Sequence, residues 1–299
     1  MEIKLIILEK KNNTAKPLKP LIVPENYNYI AVFLTLACNL KCNYCINNFK
    51  QKAFRPGTIS GEEWVRGLNR IISRKDLPLT LQGGEPTLHN DFYFIINNIN
   101  SETDIDLLTN LEFNIYDFMK NIKPDRIKRV APYASIRVSY HAPEMDIDKL
   151  IDKVLALLDN GYSVGIWGVE HPEYMEQIKI AADKCKEKGI DYRTKEYLGF
   201  YEGKLYGQYL YPEAVSGNII KKVKCRTSEL LINPEGNVFR CHSDLYSGRY
   251  SIGNILDEDF KIKNDFIDCD FFGHCNPCDI KVKTNRFQQF GHTSVSIKI

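Results

Sequence analysis

Residues 30–46 read I-A-V-F-L-T-L-A-C-N-L-K-C-N-Y-C-I. The run Ile30 to Leu36 carries no charge and ends in a polar loop with three cysteines, Cys38, Cys42 and Cys45, spaced C-x3-C-x2-C. A continuous apolar run of this length predicts a strand covered on both faces. Three thiolates at its carboxyl end suit a soft metal or an iron–sulfur cluster. A four-iron cluster has four corners, so three protein ligands leave one iron free to bind something else. Structural zinc is the alternative reading. It wants four ligands, and the next histidine along the chain is His89.

Further strand-like runs follow at 79–82, 105–109, 135–140, 163–169 and 191–197. Between them lie amphipathic stretches with helix signals. Ser60 and Glu63 form a capping box before Trp64, Leu68, Ile71 and Ile72. Asn90 is placed to cap the helix carrying Phe92, Ile95, Ile96 and Ile99. The stripe Ile147, Leu150, Ile151, Val154, Leu155 and Leu158 stops at Gly161, and a helix opened by Pro172 closes at Gly189. Strand and helix alternating six times predict parallel βα units. A closed eight-unit barrel needs about 250 residues, and the window 28–200 holds about 170. The expected fold is therefore α/β, a partial (β/α)6 barrel, with ligands at the carboxyl ends of its strands. Cys185 shares an apolar helical stripe with Tyr174, Ile178 and Ala181, which predicts a buried core thiol.

The chain has 299 residues, 43% hydrophobic and 26% charged, with a net charge of +2 from 40 basic and 38 acidic residues. That balance gives no reason to expect nucleic acid or an anionic membrane surface as partner. No apolar run approaches the ~20 residues of a membrane span. The start, M-E-I-K-L-I-I-L-E-K-K, is too short and too charged for a signal peptide, which predicts a cytoplasmic protein. Nine cysteines, an odd number in two clusters with Cys185 between, then point to metal or cluster binding rather than disulfides. Residues 1–27 hold an apolar run, Ile3 to Leu8, expected to add a strand or wrap the body.

The motif C38-N-L-K-C42-N-Y44-C45 resembles the cluster-binding loop of the radical S-adenosylmethionine enzymes, which favour an aromatic residue before the third cysteine. Gln82-Gly83-Gly84-Glu85-Pro86, ending the second strand, resembles that family's G-G-E-P motif. The resemblance implies the partial (β/α)6 barrel and a 4Fe–4S cluster whose free iron chelates S-adenosylmethionine. It also implies reductive cleavage to a 5′-deoxyadenosyl radical that takes a hydrogen atom from substrate. In that reading Gly83 and Gly84 allow close backbone approach, and the Glu85 carboxylate accepts from the methionyl ammonium. Tyr44, Asn110 and Ser139 are carried over as cofactor-binding positions at the rim. Val164 to Gly168 loosely resembles the segment beside adenine, with Val164 where a glycine is expected. Each rim residue has an ordinary strand-end hydrogen bond as its alternative role. His89, His141 and Glu196 are candidate catalytic residues at the expected rim. Arg193 and Glu196 either face cofactor or substrate, or pair with each other through solvent.

Residues 201–224 read as a linker. Beyond it, Cys225 and Cys241 bracket Gly236 as C-x10-G-x4-C, followed by Cys269 and by Cys275 and Cys278 as C-x2-C. This resembles the shortened SPASM extension called twitch, which implies a small auxiliary domain over 225–299 with one auxiliary 4Fe–4S cluster. Cys225, Cys241, Cys275 and Cys278 are the expected ligands, with Cys269 spare or substituting for one of them. A zinc ribbon on the same four residues is the alternative. His242 and His274, each beside a cysteine, are expected to support ligands or face solvent.

The expected activity is oxidation or rearrangement of a small metabolite such as a carbohydrate, because only about 27 residues precede the barrel. A peptide-modifying enzyme, and a non-catalytic metal-stabilised binding protein, are the alternatives. The Tyr-rich segment 197–211 suits a sugar or a peptide. The resemblance further implies a reducing electron carrier, flavodoxin or ferredoxin.

Overall fold

The computed structural model describes residues 17–48, 57–218, 220–283 and 291–299. The apolar run Ile3 to Leu8 lies outside the described residues. Six parallel strands carry the fold: β1 (Tyr29–Thr35), β2 (Leu79–Gly83), β3 (Ile105–Thr109), β4 (Ile136–Tyr140), β5 (Val164–Glu170) and β6 (Tyr192–Glu196). They pair in sequence order, and all six sit where the apolar runs predict. The helices between them are α1 (Gly61–Leu68), α2 (Phe92–Asn98), α3 (Ile115–Asn121), α4 (Ile147–Asp159) and α5 (Met175–Glu187).

Alternation within β1 explains its uninterrupted apolar run. Ile30, Val32 and Leu34 join the core under the helices, while Tyr29, Ala31 and Phe33 face Leu231, Phe239, Leu245 and Tyr246 of the tail. Each such apolar side chain removed from water stabilises the fold by about 1.5–3 kcal/mol. Ser60 forms the predicted capping box with Glu63. Asn90 does not cap α2. Asp91 holds that position, and its carboxylate instead accepts from Gly61 N–H at the start of α1 (2.8 Å). Cys185 is fully buried on α5 with Ile178 and Ala181.

After β6 come a hairpin, β7 (Gly199–Tyr201) with β8 (Lys204–Tyr206), and then β9 (Lys221–Thr227). The cysteine-rich tail does not stand apart from the barrel. Its strands β10 (Glu229–Ile232), β11 (Asn237–Phe239) and β12 (Gly253–Asn254) extend the barrel's sheet past β1, with β10 parallel to β1 from Glu229 opposite Tyr29. The rest of the tail forms a three-stranded antiparallel sheet. There β9 lies between β13 (Ile267–Phe272) and β14 (Val295–Lys298), over a small core that includes Val223, Phe272, Ile280 and Val295. Arg70 ties the ends together, donating to the carbonyls of Lys19, Ile255, Asp257 and Glu258.

Candidate active site at the strand mouths

The three-cysteine loop leaves the end of β1 and is laced to the end of β2. Gly84 N–H donates to the Thr35 carbonyl (2.9 Å) and Glu85 N–H to the Ala37 carbonyl (2.8 Å). Asn47 Nδ2 reaches the Gly83 carbonyl (3.2 Å). Glycine is what permits this approach. At Gly83, with φ of 154°, a Cβ would lie 2.0 Å from the Thr35 carbonyl oxygen.

Glu85 is fully buried, and its carboxylate is committed to its own surroundings. Oε1 accepts from Thr87 N–H (3.3 Å) and from the hydroxyls of Thr87 (2.7 Å) and Thr109 (2.8 Å). Oε2 accepts from Asn110 N–H (2.8 Å). Burial pushes the carboxyl pKa up, and these donors oppose the shift. The group thus holds the ends of β2 and β3 together, with three donors on Oε1 and one on Oε2. Pro86 is buried and opens the short turn that follows. Asn110 continues the bracing: its Nδ2 donates to Asn39 Oδ1 (2.7 Å) and lies 3.9 Å from Cys38 Sγ, while its Oδ1 accepts from Glu112 N–H (2.9 Å).

Cys38 is exposed, and Cys42 and Cys45 are half-buried. Leu40 N–H points at Cys38 Sγ (3.4 Å). Burial first, then neighbouring Cys45, Glu144 and Cys38, push the Cys42 thiol up to about 12. Such a thiol gives up its proton when a metal replaces it. Among the described residues, no three His, Cys, Asp or Glu side chains gather as a single metal ion requires. A zinc ion wants its sulfurs about 2.3 Å from one point. Three thiols on one loop, with backbone N–H support and one face open, fit a cluster with a free iron.

Tyr44 fills the opposite wall. Its ring stacks on His171 (centroids 5.0 Å apart), which stacks in turn on Tyr174 (5.0 Å). Tyr197 and Tyr201 of the following segment meet His171 edge-on at 4.4 and 5.0 Å. The Tyr44 hydroxyl lies 3.1 Å from His141 Nδ1. Burial, and then the Lys195 cation, lower the His141 pKa to about 4, so the ring beside this hydroxyl is neutral. His171 was not singled out from the sequence. Its signal was its place in W-G-V-E-H-P at the end of β5.

The other candidates scatter. Ser139 is half-buried near the end of β4, opposite Trp167 in register. Glu196 pairs with Lys281 (3.0 Å) and accepts from Gln208 N–H (3.1 Å), while Arg193 pairs with Asp191 (3.0 Å), so the two do not pair with each other. His89 is buried and braces the α1–α2 region. Its Nδ1 accepts from Asp91 N–H (3.0 Å), and its Nε2 donates to the Ile59 carbonyl (3.1 Å). The Nδ1 bond needs the neutral ring, and burial lowers its pKa. As pH falls through the unfolded value of about 6.5, the unfolded chain takes up a proton that the folded chain refuses, so stability drops. His89→Gln is expected to lose less stability than the parent between pH 7 and pH 5, read from urea midpoints at each pH.

In the tail, Cys225, Cys241, Cys269 and Cys275 line one small cavity with Arg240, Ser243, Asp244 and Asp279, and Cys278 is not among its lining residues. Arg240 is buried against Asp244 (2.8 Å), and His242 Nδ1 meets Asp279 Oδ1 (2.8 Å). His274 is half-buried, with its ring 5.2 Å from Phe271.

An open α/β barrel with a cluster-type thiol loop at its strand mouths defines the class. A model of the Radical SAM superfamily matches residues 32–202, and the chain belongs to that superfamily. Its enzymes use a 4Fe–4S cluster and S-adenosylmethionine. The GTP 3′,8-cyclase of Aliarcobacter butzleri (strain RM4018) is 24% identical over 210 residues, covering 65% of this chain and 63% of that one. The GTP 3′,8-cyclase of Nautilia profundicola is 25% identical over 185 residues, covering 57% and 56%. The chain thus spans less than two thirds of the length of these curated relatives. A solved structure of native anSMEcpe with bound AdoMet and Kp18Cys peptide has the same fold, with a TM-score of 0.51 over 80% of this chain and 78% of that one, at 15% identity. Among the described residues no helix is long and apolar enough to cross a membrane.

Proposed function

We propose that this chain cleaves S-adenosylmethionine reductively and uses the resulting 5′-deoxyadenosyl radical to take a hydrogen atom from a small metabolite. The observation that carries this reading is the pair of backbone hydrogen bonds from Gly84 and Glu85 to Thr35 and Ala37, the residues that lead into the Cys38–Cys45 loop. When bound, the cluster and S-adenosylmethionine supply the electron and the radical. The chain's own residues do the positioning. Cys38, Cys42 and Cys45 hold the cluster, Gly83 and Gly84 bring the backbone close, and Glu85 and Asn110 brace that approach. Tyr44, clamped between His141 and His171, walls the site and helps exclude water. A nucleotide or a sugar is favoured as substrate class, because the sequence relatives are GTP 3′,8-cyclases. The cysteine-rich tail would hold an auxiliary iron–sulfur centre, which would supply a place to bind substrate or to take up its electron, and a flavodoxin or ferredoxin would supply the reducing electron.

After anaerobic reconstitution, about eight irons per chain and 5′-deoxyadenosine formation on reduction are expected, with no 5′-deoxyadenosine from Cys42→Ala. Intact S-adenosylmethionine in a fully iron-loaded sample would refute the reading. Deuterium transfer into 5′-deoxyadenosine from labelled nucleotides, sugars and peptides then separates the substrate classes.

A further inference from the structure

The twitch resemblance pairs Cys275 with Cys278 as ligands, as a C-x2-C spacing ordinarily does. The geometry here differs, and we infer that Cys225, Cys241, Cys269 and Cys275 hold the tail centre while Cys278 does not bind it. This rests on the proposal that the tail carries an iron–sulfur centre.

The four thiols converge from three elements and one loop. Cys225 lies on β9 and Cys269 on the antiparallel neighbour β13, with Val223 opposite Cys269 and Cys225 opposite Ile267. Residues two apart on paired strands share a face, so both side chains point to the same side. Their thiols are within hydrogen-bond reach, and Cys275 and Cys241 are the next charged neighbours of Cys225. Cys241 caps the N-terminus of a helix, α6 (His242–Ser247), with its Sγ 3.4 Å from Asp244 N. Cys275 is fixed by its N–H, which donates to the Ala214 carbonyl (2.8 Å). The cavity wall also carries Arg240, a buried cation paired with Asp244 (2.8 Å).

Cys278 is turned away by the helical turn Pro277–Ile280. Asn276 caps that turn, its Oδ1 accepting from Cys278 N–H (2.9 Å), while its Nδ2 donates to the Ile46 carbonyl beside the first cysteine loop (3.1 Å). Consecutive residues of a helix point about 100° apart. Asp279 takes the cavity side and accepts from His242 N–H (2.8 Å) and Ser243 N–H (3.2 Å). Cys278 is not on that wall, and its charged neighbours are Lys283, Lys281, Asp279 and Glu229. Tyr246 lies near both Cys278 and Cys45, so this fifth thiol sits in the wall between the two cysteine sites. Four thiolates suffice to close a four-iron cluster, and the set gathered here is complete without it.

The test is iron and acid-labile sulfide analysis of the reconstituted full chain. About four irons in the parent would overturn the auxiliary-centre reading itself, and about eight establish it. Given about eight, Cys278→Ser is expected to keep them, and Cys269→Ser is expected to fall to about four while the first cluster's spectrum persists. Loss of the tail irons from Cys278→Ser, or their retention in Cys269→Ser, would overturn the assignment. If a variant fails to fold, the parent holoprotein is treated anaerobically with methyl methanethiosulfonate and mapped by mass spectrometry. Modification of Cys278 with Cys269 protected supports the assignment, and modification of Cys269 overturns it.

Discussion

Gly84→Ala is expected to lower 5′-deoxyadenosine formation by roughly 100-fold or more, the scale on which a displacement of about 1 Å acts at a reacting centre. A Cβ at Gly84 would stand 2.1 Å from the Ala37 carbonyl oxygen, 2.5 Å from the Ala37 carbonyl carbon and 2.7 Å from the Leu36 carbonyl oxygen. All three are backbone atoms, so no side chain can swing aside. Relief requires the chain just before Cys38 to move by about 1 Å, at an overpacking cost of about 1–3 kcal/mol. The movement pulls on the Glu85 N–H bond to Ala37 and on the position of the first thiol. Gly57→Ala is the control, because nothing lies within 4 Å of a Cβ there. Parental rates of S-adenosylmethionine cleavage in Gly84→Ala would show that the close approach is not what positions the cofactor.

Arg129→Met should cost the fold about 3–5 kcal/mol, the usual consequence of removing one partner of a buried ion pair. Asp106 is fully buried on β3. Arg129 grips both its carboxylate oxygens, with Nε at 2.7 Å from Oδ1 and a terminal nitrogen at 2.9 Å from Oδ2. The same guanidinium donates to the Tyr133 hydroxyl (2.6 Å). Without it, Asp106 keeps one bond of 3.2 Å from Arg137. Adding Asp106→Asn should restore part of the loss, because the amide keeps an oxygen for Arg137 and carries no charge. Midpoints of anaerobic urea unfolding measure both steps. A double variant no more stable than Arg129→Met alone would mean that the cost lies in lost packing around the guanidinium rather than in the stranded charge.

Much of the barrel was legible because burial on two faces writes itself into composition. Strands β1 to β5 are apolar or β-branched for most of their length, and β1 is buried at six of its seven positions. The cysteine spacing and G-G-E-P were equally plain, since each is local. The roles of single polar residues were not. Glu85 looked like a free acceptor, yet four donors from three other residues close around it. Asp106 stood as one charge in I-D-L-L-T, and its partners lie 23 and 31 residues away. His89 and His141 had equal standing as histidines near a rim, but one is tied to backbone and the other to Tyr44.

By itself the sequence determined the six parallel strands, the three-thiol loop at the mouth of the first, and the Gly83–Glu85 motif at the end of the second. These follow from local chemistry: apolar runs must be buried, and thiols three and four residues apart share a loop. Only the tertiary structure decided that β10 would pair with β1, some 200 residues distant, and bring the tail against the barrel. It alone gathered Cys269 with Cys225 and turned Cys278 aside. Strand register and helical phase fix where a side chain points, and both depend on partners that sequence spacing does not encode.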